Sequence, residues 1–280
     1  MPFPMRLPTL LLLLATALAS GAQPDLAKAL AEKDPAARYR AALAILRGSD
    51  APQAALGHAD RKVAEAAVDV CRERIADHQA QEDDTVSLAI AERLLAHATS
   101  GQADPDLARR CIHAVAESRH AFGGKVSGAV ARIALEGPAA LRLDATEALA
   151  ELGDGSQTAV LARLAALDDA DLSAAAAEGL TRIHGKGVTD AFVAGIADAS
   201  LPAKARRALL QAASRRGMSA AAGAAAAALA EPELRLEAQK AVVRLAGRQD
   251  VPALKEALAK AKEPATKGVL ERLIAKLEKE

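Results

Sequence analysis

The chain has 280 residues, with 36 Lys and Arg against 36 Asp and Glu, and is 51% hydrophobic but only 1% aromatic. Alanine supplies roughly a quarter of it, Trp is absent, and the aromatics are Phe3, Tyr39, Phe122 and Phe192. Alanine is the strongest helix former and strands favour aromatic and β-branched residues, so an all-β domain is excluded and an α/β sheet is disfavoured; the apolar content and balanced charge argue against disorder.

The first segment, residues 1–22, reads as a secretory signal peptide. Arg6 is its only charge, Leu10–Leu14 and the small-residue run Ala15–Ala19 follow, and cleavage is expected after Ala19 or Ala22. The apolar core of about a dozen residues falls short of the ~20 that span a bilayer, which favours cleavage over anchoring. Losing Arg6 leaves 35 basic against 36 acidic residues, or −1. The mature chain therefore has no bulk attraction for polyanions, so neither a nucleic-acid partner nor membrane insertion is expected. The predicted address is periplasmic or secreted.

Residues 23–121 predict irregular helical repeats. Asp34-Pro35 opens a helix through Leu46, Asp60–Ile75 repeats the theme after a short connector, and Asp84–Thr99 pairs with Asp106–Ser118. Loops are expected at His78–Asp84 and Ser100–Asp104, and a break at Phe122-Gly123-Gly124.

Residues 122–280 are regular. Pro105, Pro138, Pro202, Pro232 and Pro264 stand 33, 64, 30 and 32 residues apart, with Ala170 at the missing position. Gly153, Gly185, Gly217 and Gly247 follow at steps of 32, 32 and 30. Proline opens helices and glycine closes them, so the two rulers mark a helix of about four turns recurring every ~31 residues. Leu149, Leu180, Leu210, Val242 and Leu270 fall on the same period, with Leu152, Ile183, Ala213, Leu245 and Leu273 three residues on. Both sets belong to one helix face. A second, shorter set of helices lies between, at Ser156–Leu167, Val188–Ala199, Ser219–Leu229 and Val251–Ala261. Hairpins this small bury their apolar faces by stacking. The fold class that follows is all-α: an α-solenoid of stacked antiparallel helical hairpins, continuous with the N-terminal repeats.

The run Leu-Arg-Leu-Asp-Ala-Thr-Glu-Ala-Leu-Ala-Glu-Leu-Gly-Asp at 141–154 resembles the second helix of a HEAT repeat of the short, phycobilisome-lyase-like kind. Similar runs start at Asp34, Asp60 and Glu233, and Leu141–Ala145 matches Leu234–Ala238 at a distance of 93 residues. The resemblance covers most of residues 25–280. It implies a right-handed HEAT-like superhelix whose inner helices line a concave binding face, and it implies no particular activity. Asp171–Gly185 departs from the pattern by lacking the first-turn arginine, and Met218–Ala230 by being almost wholly alanine.

Six histidines are scattered at His58, His78, His97, His113, His120 and His184, and only Cys111-Ile112-His113 with His120 hints at a metal cluster. Zinc needs three or four converging ligands, usually as paired spacings, and there is no Cys-x-x-Cys or His-Glu-x-x-His. Repeated His-Glu pairs, which HEAT-like di-iron hydroxylases use, are missing too. No metal or cofactor is expected. An even cysteine count in an exported chain permits a Cys71–Cys111 disulfide; the two fall at different heights on neighbouring helices, and two small buried residues are the favoured reading.

Arg38, Arg109, Arg142, Arg206 and Arg235 recur near the start of the inner helices. They form either a ladder on the concave face, gripping carboxylates or phosphates, or stacking pairs with the equally numerous acids of adjacent repeats. The second reading is favoured. No nucleophile elbow, phosphate loop or dinucleotide fingerprint occurs. The expected function is thus a non-enzymatic scaffold holding a protein or peptide. The alternatives are an accessory to an enzyme system (lyase- or chaperone-like), a weak metal-dependent enzyme built on Cys111, His113 and His120, or a structural part of an envelope assembly. Of the side chains that dominate binding hot spots the chain keeps chiefly Arg, so recognition should be polar and spread over several repeats.

Overall fold

A computed structural model describes residues 26–80, 84–101, 103–117, 124–152 and 154–279. The signal-peptide reading of residues 1–22 lies outside them, as do His120, Phe122 and Gly153. Of the described residues 79% are helical and none is in a strand. The chain divides into two compact units, one of residues up to 133 with 137–144, the other of 134–136 with 145 onwards.

The first unit carries α1 (Ala27–Leu30), α2 (Pro35–Arg47), α3 (Arg61–Ala80), α4 (Asp84–Thr99), α5 (Pro105–Ala116), most of α6 (Gly124–Glu136) and the first turns of α7 (Ala139–Leu152). Acid–proline pairs start two of these helices. Asp34 accepts from the Ala37 N–H at 2.8 Å, and Asp104 accepts from Asp106 and Leu107, while Pro35 and Pro105 supply the preset first residue. Where a loop is expected from His78, helix α3 runs on to Ala80. Ala76-Asp77-His78-Gln79-Ala80 holds no Gly or Pro to stop it. The connector between α2 and α3 contains a 3₁₀ turn at Pro52–Ala55 that packs on α3 and α4. Helices α2, α3 and α5 stack in sequence, with α4 packed on both α3 and α5.

The second unit is the regular array. Helices α8 (Thr158–Ala165), α10 (Val188–Ala197), α12 (Ala222–Ala228) and α14 (Val251–Lys260) make one layer. Helices α9 (Ala170–Arg182), α11 (Ala203–Arg216), α13 (Arg235–Leu245) and α15 (Pro264–Leu277) make the other. Each helix packs on its hairpin partner and on the next member of its own layer, which is the solenoid-like pattern the 31-residue ruler predicts. Leu149, Leu180, Leu210, Val242 and Leu270 are all buried, and so are their partners Leu152, Ile183, Ala213, Leu245 and Leu273. The rulers bend in two places. Pro232 stands in a turn three residues ahead of α13, and Gly247 has an extended φ of −113° where Gly217 takes the left-handed +66°.

Small residues set the spacing of this unit. A Cβ on Gly155 would fall 2.5 Å from the Gly187 carbonyl oxygen, and one on Gly195 would fall 2.7 Å from Leu209 Cδ1. Helix α12, alanine throughout except for Gly223, buries Ala222, Ala225, Ala226 and Ala228. Phe192, on α10, is the one aromatic among the described residues of this unit and is fully buried, with the Arg216 guanidinium 5.4 Å from the ring centre.

Candidate functional site

The first-turn arginines reach forward to the start of the next helix of their own layer. Arg38 pairs with Asp60, which immediately precedes α3, and its Nε donates to the Glu32 carbonyl at 3.0 Å. Arg109 donates to Asp106 at 3.0 Å and lies 3.6 Å from Asp144 on α7. Arg206 takes both carboxylate oxygens of Glu231, at 2.5 and 2.7 Å, and donates through Nε to the Ile196 carbonyl at 2.8 Å. Arg235 sits 3.2 Å from Glu263, the residue before α15. Arg142 lies half-buried on the first turn of α7. An acid at a helix N-terminus is favoured by the helix dipole, and the guanidinium fork fixes its orientation. Four of the five predicted residues thus spend their charge on stacking. They are not brought together into one site.

In the first unit the pairing extends into a network. Glu65, whose side chain is 7% exposed, meets Arg61 at 2.9 Å and Lys62 at 2.7 Å, with Arg110 at 3.8 Å. Asp69 accepts from the Tyr39 hydroxyl at 2.5 Å and from Arg110 at 2.8 Å. Burial would raise the carboxyls of Asp60 and Glu65, but Arg38 and the Lys62 N–H around the first, and Lys62 and Arg61 around the second, hold both below their ordinary range. Arg47 does the same for Glu73.

Of the residues behind the metal hint, His120 lies outside the described residues. Cys111 is fully buried in the α3–α5 packing, whereas His113 is exposed and meets Asp144 at 2.9 Å. Among the described residues no group of three or more His, Cys, Asp or Glu side chains is placed to hold a metal ion. Cys71 and Cys111 are both free buried thiols, and burial pushes each up to about 12, with Cys111 adding to the rise at Cys71. A thiol so desolvated is a poor nucleophile.

A different feature of the first unit has the character of a ligand site. The Pro52–Ala55 turn, the end of α3 and the outer side of α4 enclose a cleft of two lobes, about 320 and 310 Å3. Gln53, Ala54, Arg93 and Ala96 line both. The first lobe is floored by Val86, Ala89 and Ile90, with Asp50, Arg74 and Glu92 at its edge. Arg74 is committed to the Arg47 and Ser49 carbonyls at the end of α2, at 2.9 and 3.2 Å. The second lobe adds Leu56 and His97 and has no carboxylate. Gln53 Oε1 and His97 Nε2 are buried here without a hydrogen-bond partner in the structure, and His78 also lines the first lobe. Burial, reinforced by the Arg93 charge, lowers the His97 pKa and so favours the neutral ring. Sequence reasoning passed over the cleft because its parts sit in a connector and on an unremarkable helix. The one local signal was Asp50-Ala51-Pro52, a turn initiator inside what reads as a plain linker.

No family model matches the chain, and no curated protein matches it. Among solved structures it is similar to a crystal structure of an engineered protein, a Northeast Structural Genomics Consortium target, at 17% identity over 91% of this chain and 95% of that one. The TM-score of 0.25 carries no statement about fold or function. None of the helices among the described residues is long and apolar enough to cross a membrane.

Proposed function

We propose that this chain is an exported, non-enzymatic scaffold of HEAT-like helical repeats that holds a segment of another protein or peptide. The observation that carries the reading is the cleft beside Arg93: a formed hollow with an apolar floor and convergent polar groups. Strongly perturbed acids and bases mark catalytic sites. Here the lowered carboxyls of Asp60, Glu65 and Glu73 are accounted for by the arginines and lysine that clamp neighbouring helices. The perturbed His97 lines the cleft with a second polar atom and a cation, an arrangement suited to recognition.

The proposed seat of binding is this cleft, and the first-turn arginines serve to stack the repeats that hold it. Affinity capture from the exported fraction tests the reading. The unaltered chain should recover one partner in stoichiometric yield, and Arg93→Glu should lose it. Recovery of the same partner by both proteins would overturn the assignment to the cleft, and recovery by neither would overturn the scaffold reading.

A further inference from the structure

We infer that the cleft receives the C-terminal residue of a peptide, its terminal carboxylate at Arg93 and its apolar side chain in the first lobe; this rests on the binding-scaffold reading above. The argument begins with charge. Arg93 is exposed, lines both lobes, and has no ion-pair partner among the described residues, unlike Arg38, Arg206 and Arg235. Where Arg93 faces the second lobe no carboxylate competes with an incoming anion.

The unpartnered atoms narrow the class of ligand. Gln53 Oε1 is an acceptor, so it calls for an N–H donor, and the neutral His97 Nε2 calls for one further hydrogen bond. Buried polar atoms of native proteins are normally partnered, which marks this pair as the place a ligand completes. A chain terminus supplies both needs in one residue, because its amide N–H and its carboxylate flank the same Cα. An internal Asp or Glu sets its carboxylate one or two methylenes further from the backbone N–H. The side chain of that last residue then faces Val86, Ala89 and Ile90, in a hollow of about 320 Å3 with room for a leucine-sized group.

The test titrates the full mature chain with acetyl-Ala-Ala-Leu carrying a free carboxylate, with the same peptide as its C-terminal amide, and with free leucine, following backbone and side-chain amides and the His97 ring by NMR. The acid should perturb Gln53 and His97 and raise the His97 pKa, and both the amide and the Arg93→Gln variant should bind about tenfold more weakly. Equal binding of acid and amide at the cleft would overturn the terminal-carboxylate assignment and leave peptide binding there intact. Free leucine binding as tightly as the tripeptide would overturn the peptide in favour of a small amino acid. No change in either lobe with any of the three would overturn this inference and count against the cleft itself as the seat of binding. An amide spectrum of Arg93→Gln matching the unaltered chain outside α4 shows that the variant folds.

Discussion

The two units solve the same stacking problem with different chemistry. In the first, long helices are tied by charge: Glu65 and Asp69 sit nearly enclosed among Arg61, Lys62, Arg110 and the Tyr39 hydroxyl. In the second, helices α8, α10, α12 and α14, of only 7–10 residues, are packed through small side chains, with Gly155, Gly195 and the α12 alanines at close contacts. Alanine contacts close tightly but offer little chemistry. The charged unit tolerates an irregular connector, and the Pro52–Ala55 turn opens a cleft beneath it. Irregularity and the proposed ligand site therefore coincide, in keeping with the tendency of binding residues to lie on loops.

Removing Phe192 is the hardest test of the packing side of that contrast. The ring is fully buried in α10 with the Arg216 guanidinium 5.4 Å from its centre, so Phe192→Ala leaves a cavity in the core of the unit. A loss of about 3–5 kcal/mol is expected in urea unfolding. Hydrogen exchange should place the lost protection in α8–α13. A cost below about 1 kcal/mol would mean that the second unit is loosely packed after all.

Gly155→Ala follows in size. Here the obstacle is backbone: the new Cβ would meet the Gly187 carbonyl carbon at 2.6 Å and oxygen at 2.5 Å, and Gly187 itself holds a left-handed φ of +74°. Overpacking of this kind costs about 1–3 kcal/mol. The Gly155 N–H donation to the Lys186 carbonyl, at 3.0 Å, should be the first bond to open in amide exchange. An unchanged midpoint would show that the 185–187 loop yields freely.

Acid should attack the other unit. The folded carboxyls of Asp60, Glu65 and Glu73 lie below their unfolded values, so the stability they contribute is fully present above the ordinary carboxylate range, near pH ~4, and is lost as pH falls through the lower folded values. The second unit's lowered carboxyls, Asp198 and Glu256, are fully exposed and contribute little. Exchange protection in α2, α3 and α5 should therefore fall before that of α9, α11 and α13 between pH 5 and about pH 3. Simultaneous loss would remove the distinction between a charge-tied and an alanine-packed unit.

Much of this architecture was legible in the residues. Period-31 leucines, acid–proline starts and the Leu141–Ala145 match to Leu234–Ala238 are local signals, and burial followed them closely. The arginines were legible as a ladder too, since their spacing equals the repeat; that they meet Asp60, Glu231 and Glu263 follows from stacking one repeat on the next. The cleft was not legible. Gln53, Arg93 and His97 are up to 44 residues apart in sequence and share no motif. Only the packing of a 3₁₀ turn on α3 and α4 brings them together. Helix α3 outran its expected end for a related reason: nothing in its last turn forbids helix, and its packing on α4 and α5 continues to reward it.

The smallest expected effect, that of Leu236→Ala set beside Leu234→Ala, is the most discriminating about register. Leu-Arg-Leu occurs twice, at 141–143 and 234–236, and in each case the first leucine is buried while the second is exposed, Leu143 by 38% and Leu236 by 62%. One helix face thus packs and the adjacent position looks outward, so an identical side chain two residues on has a different energetic role. Leu234→Ala should cost about 2–5 kcal/mol, whereas Leu236→Ala should change stability by less than about 0.5 kcal/mol. Thermal unfolding of the two single variants reads the difference directly. A comparable loss from both would mean that Leu236 is covered in solution, and since it follows the first-turn Arg235, that would move attention back from the cleft to the face the arginine ladder runs along.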